Sequence, residues 1–206
     1  MVFKSKNFCI VLSSPSGAGK TSISKQLIKK DKSIALSISC TTRPKRSGEI
    51  NKRDYIFLTD QQFNNGIKKN EFLEFAEVFG FRYGTLKNTI ISFFNKKKDV
   101  LFDIDWQGFQ QLKQSNLEVV GIFILPPSKK ELVSRLKTRA RDTKEEMKRR
   151  MDLVQNEISH FPEYDYVVLN EDLKKCANQI LKIIETERLK KSRLINLTKF
   201  INKFRI

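Results

Sequence analysis

Short apolar runs alternate with amphipathic stretches over most of the chain. Short runs that are apolar on both faces are typical of strands buried in a parallel sheet. They lie at 8–12, 100–104, 119–124 and 166–169. Stretches with helical spacing of apolar side chains lie between and after them, at 21–30, 107–114, 129–137, 143–159 and 173–189. This alternation predicts an α/β fold, with a doubly wound parallel sheet between layers of helices.

Two of the predicted helices carry start signals. Ser128 and Thr143 each precede a helical stretch, and Glu131 and Glu146 follow them by three residues. A hydroxyl followed at this distance by a carboxylate is the capping-box pattern, in which each side chain accepts a hydrogen bond from a free backbone N–H. We therefore expect these helices to begin directly after the two hydroxyl residues.

The pattern changes between residues 34 and 95. Segments such as 55–58 and 71–83 are shorter and interrupted by polar residues, as strands of a small mixed sheet would be. We interpret 34–95 as a substrate-binding insertion in a core made of 1–33 and 96–187.

A loop that binds phosphate is predicted between the first strand and the first helix. Its sequence matches the pattern G-x-x-x-x-G-K-[ST] except that serine replaces the first glycine. Backbone N–H groups of such a loop face phosphate oxygens, the lysine reaches the β- and γ-phosphates, and the hydroxyl binds Mg²⁺. We expect the serine to fit if its φ stays negative. The candidate ATP-binding residues are Ser14, Pro15, Ser16, Gly17, Ala18, Gly19, Lys20 and Thr21.

Composition excludes several classes of protein. The chain has three widely spaced cysteines and a single histidine, His160, which argues against a disulfide framework and against an imidazole-based metal site. The apolar runs are too short to cross a membrane and the N-terminus does not resemble a signal peptide, so we expect a cytoplasmic protein. The net charge of +17 is partly due to seven basic residues after Glu187. It fits an enzyme that handles phosphate better than a nucleic-acid-binding protein, because no recognition motif or interleaved aromatics accompany it.

The acceptor side is predicted from the segment 37–49, which places two arginines and several hydroxyls in one loop. Together with the phosphate loop, this segment resembles the guanylate kinase family, whose acceptor segment reads S-x-S-x-T-T-R-x-x-R-x-G-E. The resemblance continues in order over about residues 8–187, through 70–76, 83–85, 103–108, 126–128, 135–139 and 168–172. It implies a P-loop kinase fold with a mobile lid, and transfer of the γ-phosphoryl group of MgATP to GMP, with dGMP as a further acceptor.

The resemblance also implies roles for individual residues. Guanine offers N1–H and N2–H₂ as donors and O6 as an acceptor, which suits a carboxylate paired with hydroxyls. Glu74 is expected to accept the two donors, Ser39 and Thr85 to reach O6, and Asp105 to contact GMP and the Mg²⁺ water shell, with Asp103 in support. The residues expected to hold the GMP phosphate are Arg43, Arg46, Tyr55 and Tyr83.

The remaining expectations concern the lid, the adenine and the C-terminus. Arg135, Arg139 and Arg150 resemble the arginines that close on the phosphates, with 138–144 as the lid, and Lys20 and Arg43 complete the catalytic set. Ala140 departs from the family glycine. Asn170 is expected to contact adenine. The basic tail 188–206 lies outside the resemblance, and we expect it either to pack on the body or to contact another subunit. The sequence indicates no particular oligomeric state.

Two other functions fit parts of the sequence. A kinase for a different monophosphate would share the phosphate loop but not the combination of Glu74, Ser39 and Thr85. A non-catalytic scaffold domain that binds phosphopeptides would share the fold, but would lose residues of the phosphate loop or acceptor site. An assay of phosphoryl transfer with several acceptors distinguishes these alternatives.

Overall fold

The computed structural model describes residues 4–78, 80–139 and 144–204, with the side chains of 136–139 and 144–150 left outside that description. Its larger sheet has five parallel strands, β1 (Cys9–Ser13), β2 (Ile34–Leu36), β7 (Asp99–Asp103), β8 (Val119–Leu125) and β9 (Tyr166–Leu169). Across the sheet they lie in the order β2-β7-β1-β8-β9. The four apolar runs singled out in the sequence are all strands of this sheet, which confirms the predicted class of fold.

A second sheet is mixed and has the order β4-β3-β6-β5. Its strands are β3 (Cys40–Thr41), β4 (Ile56–Phe57), β5 (Phe72–Val78) and β6 (Phe81–Leu86). The small core beneath it is formed by Cys40, Phe63 and Phe72. The predicted insertion boundaries were too wide, because β2 pairs with β7 in the large sheet and Ile90 of the next helix packs in the core of the large sheet.

Helices cover both faces of the large sheet. They are α1 (Lys20–Lys30), α2 (Asp60–Lys68), α3 (Lys87–Asn95), α4 (Trp106–Lys113), α5 (Lys129–Arg139), α6 (Lys144–Ser159), α7 (Leu173–Arg188) and α8 (Leu197–Ile201). Alternate residues of β1 enter different cores: Ile10 and Leu12 pack with α1 and α7, whereas Cys9 and Val11 pack on the side of α3 and α4. No helix among the described residues is long and apolar enough to span a membrane.

Most predicted helix bounds differ from the structure by one or two residues. The Glu131 N–H donates to Ser128 Oγ at 3.1 Å, which confirms that hydroxyl as the cap of α5. Thr143, the other predicted cap, and Ala140 lie outside the described residues.

The first part of the C-terminal tail packs on the body. Backbone N–H groups of Lys6 and Ile195 donate to the carbonyls of Arg193 and Lys4, each at 2.8 Å. Arg193 is buried, forms an ion pair with the fully buried Glu187, and lies over the ring of Phe8 at 4.4 Å. The boundary predicted at residue 188 therefore does not mark the end of the folded unit.

We predict that Arg193→Met destabilises the protein by about 3 kcal/mol, because it leaves the Glu187 carboxylate buried without its guanidinium partner. The free energy of unfolding, measured by urea denaturation at neutral pH, tests this. Lys191→Met is the matched control, since Lys191 is an exposed residue of the same tail and its removal is expected to change stability by less than about 0.5 kcal/mol. Equal effects of the two substitutions would contradict the prediction.

Candidate active site

The phosphate loop connects β1 to α1 with the geometry that the sequence predicts. Gly17 and Gly19 have φ of 91° and 98°, a left-handed conformation that glycine adopts without a steric penalty. Ser14 does not have a positive φ and is buried, so the serine in place of the first glycine fits the turn. The loop leads directly into the N-terminus of α1, where backbone N–H groups and the helix dipole favour an anion.

Asn170 supports this loop from the end of β9. Its Nδ2 donates to the Ala18 carbonyl at 2.7 Å, and it lies so close to Gly19 that a Cβ there would be 2.6 Å from Nδ2. The amide group predicted to contact adenine is therefore engaged by the loop itself. A cleft of about 400 Å³ begins beside these residues and is lined by Gly17, Gly19, Ser22, Arg135, Asn170, Glu171 and Leu173.

Lys20 lies between the phosphate loop and the end of β7. Its Nζ is 2.9 Å from Asp103 Oδ1 and donates to the Ile104 carbonyl at 3.0 Å. Burial alone would lower the pKa of Lys20, but the carboxylates of Asp103, Glu157 and Asp105 together outweigh it, so the pKa is above its usual value. The side chain is held as a cation beside the loop.

The two aspartates at the end of β7 have different surroundings. Asp103 Oδ2 accepts a hydrogen bond from the Thr21 hydroxyl at 3.2 Å, so Asp103 contacts both residues assigned to the ATP phosphates and the metal. Asp105 is instead the N-cap of α4, where Oδ1 accepts from the Gly108 N–H at 3.1 Å and Oδ2 from Gln107 Nε2 at 3.0 Å. The resemblance implies a role for Asp105 at the Mg²⁺ water shell, whereas in this structure Asp103 contacts Lys20 and Thr21.

A further carboxylate in this region was not predicted. Glu157 Oε2, from α6, accepts the Ser16 N–H at 2.9 Å. Burial raises the pKa of this carboxyl group, and the charge of Lys20 acts in the opposite direction. In the sequence Glu157 is one of several charged residues on an amphipathic helix, and no periodicity separates it from them.

The residues predicted to hold the acceptor phosphate lie mostly together. Arg43 is buried, forms an ion pair with Glu49 at 2.7 Å, and lies over the Tyr55 ring at 5.3 Å. The rings of Tyr55 and Tyr83 contact each other edge to face, with centroids 6.0 Å apart. Burial raises the pKa of Tyr55 and the charge of Asp103 raises it further, whereas the charges of Lys20 and Arg43 act in the opposite direction. Arg46 is exposed, and its backbone N–H donates to Glu49.

Glu74 and Thr85 form the predicted base-recognition pair. They are register partners on β5 and β6, and both are buried. Glu74 Oε1 and Thr85 Oγ1 are buried without a hydrogen bond of good geometry, although Thr85 lies close enough to lower the pKa of Glu74, and Ser37 Oγ nearby in the sequence motif is also buried without a partner. Desolvation raises the pKa of Glu74 to about 7. Ser39 is half-buried, and its carbonyl accepts the Ile56 N–H at 2.9 Å. Buried polar atoms without partners are rare, and they indicate where a ligand supplies the hydrogen bonds.

The predicted lid is only partly described. Arg135 lines the cleft and forms an ion pair with Glu131 at 2.8 Å. The side chains of Arg139 and Arg150 and most of the segment 138–144 lie outside the described residues. Leu132 of α5 and Val154 of α6 form a small core of their own, so the two helices pack against each other.

Comparison with known proteins gives one consistent result. A family model described as guanylate kinase matches residues 6–187. The guanylate kinase of Rickettsia prowazekii is 48% identical over 190 residues, covering 92% of this chain and 96% of that protein. That of Paramagnetospirillum magneticum is 45% identical over 201 residues, covering 97% and 94%. A crystal structure of guanylate kinase from Anaplasma phagocytophilum superimposes with a TM-score of 0.82 at 35% identity, covering 97% and 96%.

The pKa of Glu74 predicts a pH-dependent stability. The folded-state value of about 7 is above the unfolded value of 4.5, so the stabilisation is complete below about pH 4.5 and is lost as the pH rises through 7. Between pH 5 and 8, we expect the free energy of unfolding of the wild type to fall by about 2 kcal/mol more than that of Glu74→Gln, in which this titration is removed. Urea denaturation of both proteins at the two pH values measures the difference. Parallel pH profiles would contradict the assigned pKa.

Proposed function

The chain belongs to the guanylate kinase family and is therefore a nucleoside monophosphate kinase, and we propose which of its residues bind and transfer the phosphoryl group. In the reaction an oxygen of the GMP phosphate forms a bond to the γ-phosphorus of ATP. The bond from that phosphorus to the β–γ bridging oxygen breaks, and ADP and GDP result. Phosphoryl transfer requires positioning and charge stabilisation more than covalent chemistry from the protein.

The observation that carries the assignment of the acceptor is the pair of buried polar atoms without partners, Glu74 Oε1 and Thr85 Oγ1. A carboxylate acceptor beside a hydroxyl donor complements the N1–H, N2–H₂ and O6 edge of guanine. Adenine presents the opposite pattern and would leave the carboxylate buried without a hydrogen bond. We propose that Glu74 binds the two guanine donors and that Thr85 and Ser39 bind O6.

The acceptor phosphate is proposed to lie beside the base on the same small sheet, because Tyr83 and Thr85 are two residues apart on β6 and therefore share a face. Arg43 offers a planar guanidinium suited to phosphate oxygens, and Tyr55 and Tyr83 offer hydroxyl donors. Arg46 is exposed and free to reach the same phosphate from the loop. None of these assigned contacts uses the ribose 2′-hydroxyl, so we propose that dGMP is also an acceptor.

Lys20 and the backbone of the phosphate loop are proposed to hold the ATP phosphates, with the adenosine in the cleft lined by Arg135 and Leu173. Thr21 and Asp103 provide the oxygen donors that Mg²⁺ prefers, and they are the residues that would hold it. The ion supplies charge neutralisation at the phosphates when bound. Arg135 is proposed to stabilise the transferring group, and Arg139 and Arg150 remain predictions from the sequence for the same role.

The alternative of a non-catalytic scaffold finds no support. Lys20, Thr21 and Arg43, which a scaffold domain is expected to lose, are all present, and the curated relatives are guanylate kinases by name. The cytoplasm remains our proposal for the site of action, since ATP and GMP are both available there.

The experiment that tests this function is ADP formation by the purified protein with MgATP and GMP, dGMP, AMP, CMP, UMP or dTMP. We expect turnover with GMP and dGMP to exceed that with the other acceptors by at least about 100-fold, which is the range expected when a buried polar group loses its partner. Equal turnover with AMP would contradict the roles given to Glu74 and Thr85.

Lys20→Ala is predicted to lower kcat by about 100-fold or more, because the cation beside the β- and γ-phosphates is lost. The side chain is partly exposed, so the unfolding midpoint should change little. Lys29→Ala is the control, since Lys29 is an exposed lysine of the same helix. Normal turnover by Lys20→Ala would refute the phosphate-loop assignment.

Asp103→Asn is predicted to raise the Mg²⁺ concentration needed for half-maximal rate by about tenfold. Asp105→Ala should instead weaken the start of α4, at a cost of about 1 kcal/mol in stability, and change the Mg²⁺ requirement less. Initial rates over a Mg²⁺ titration at saturating ATP and GMP compare the two. A larger shift in the Asp105 variant would restore the roles first predicted from the sequence.

A further inference from the structure

Helix α4 of the core makes an unusual contact with β5, the edge strand of the small sheet. The side chain of Gln111 accepts the Phe75 N–H at 3.0 Å and donates to the Phe75 carbonyl at 2.7 Å. One side chain thus satisfies both main-chain groups of a strand residue, as a neighbouring strand would. One turn earlier, Gln107 Nε2 donates to the Glu77 carbonyl at 3.2 Å. The two glutamines therefore attach α4 to the middle of β5 and to its C-terminal half.

The same helix lies against the carboxylate of Glu74. A Cβ at Gly108 would be 2.6 Å from Glu74 Oε2, 3.2 Å from its Cδ and 3.0 Å from Ile104 Cδ1. A separation of 2.6 Å is essentially never seen for a real Cβ atom, so the carboxylate occupies the space that any larger residue at position 108 would need. Gly108 is in the first turn of α4, where the helix dipole favours a negative charge.

The strand ladder alone does not fix Glu74. The pairing of β5 with β6 shifts register between Phe72 and Glu74, so the residue before Glu74 has no regular partner there. Gln111 holds the main chain of Phe75, the next residue, and Gly108 sets how far the carboxylate extends. Together, Gln111 and Gly108 restrain the main chain next to Glu74 and the carboxylate at the end of its side chain.

We propose that Gln111 and Gly108 are positioning residues for base recognition: α4 determines where the Glu74 carboxylate meets guanine, and so determines the selectivity for that base. This inference rests on the proposed function, which gives Glu74 the two guanine donors. It assigns part of the base selectivity to a helix of the core that lies outside the small sheet. Because Asp105 caps the same helix, the helix also sets the distance between the guanine site and the end of β7.

Two variants test the proposal independently. Gln111→Met keeps the approximate volume and removes both hydrogen bonds to Phe75, whereas Gly108→Ala displaces the Glu74 carboxylate. Gln110→Met is the matched control, because Gln110 is the adjacent residue of α4 but donates to Glu163 and not to β5. Each protein is assayed with GMP and with IMP, which lacks the 2-amino group, and its thermal unfolding midpoint is recorded.

We expect both variants to raise KM for GMP by about tenfold, with kcat changed by less than about threefold and KM for ATP unchanged. The ratio of kcat/KM for GMP to that for IMP should fall, because a displaced carboxylate loses the bond to N2–H₂ first. If Gln111 and Gly108 had only a structural role, their substitution would lower stability and change the kinetics with GMP, IMP and ATP alike. Gln110→Met should behave as the wild type.

Glu74→Gln, assayed in parallel, separates a failure of this inference from a failure of the proposed function. If Glu74→Gln lowers the GMP to IMP ratio and neither helix variant does, α4 does not position the carboxylate and the inference is wrong. If Glu74→Gln leaves the ratio unchanged, Glu74 does not recognise the 2-amino group, and the role assigned to it fails together with the inference. If Gly108→Ala does not fold, Gln111→Met alone decides.

Discussion

The ion pair between Lys20 and Asp103 is the interaction on which the site depends. It exists because β1 and β7 are parallel neighbours in register, with Leu12 opposite Asp103, so the loop after β1 and the end of β7 open at the same edge of the sheet. The buried core on both faces of these strands keeps that register, since a shift by one residue would exchange the two apolar faces. The packing of the sheet thereby fixes where a lysine and a carboxylate meet the phosphates.

From this edge of the sheet, one helix leads to the acceptor side. Asp105 ends the segment after β7 and caps α4, and α4 then contacts β5 next to Glu74. The donor and acceptor sites are therefore joined by a rigid element in addition to loops. Transfer between two phosphates needs close control of their separation, and a short capped helix gives such control better than a flexible connection would.

The sequence predicted the large sheet because its strands are continuous apolar runs, and it predicted the phosphate loop because glycine spacing is tied to backbone conformation. It was less informative where the outcome depends on which partner a polar side chain finds. Alternation places Asp103 and Asp105 on one face but does not say which of them caps α4. No local pattern in the sequence marks Glu157 or Arg193. Glu157 contacts Ser16 and Arg193 contacts Glu187, and both contacts depend on tertiary packing.

Three of the described cations assigned to phosphate share one feature that bears on how substrates bind. Lys20, Arg43 and Arg135 each hold a carboxylate, that of Asp103, Glu49 and Glu131 respectively. In a chain of net charge +17 these pairs relieve repulsion between cations that must lie close together. A phosphate dianion carries more charge and more acceptor oxygens than a carboxylate, so it competes well for the same guanidinium or ammonium group. With the roles proposed for these residues, substrate binding would exchange one anion for a stronger one, at cations that are already oriented.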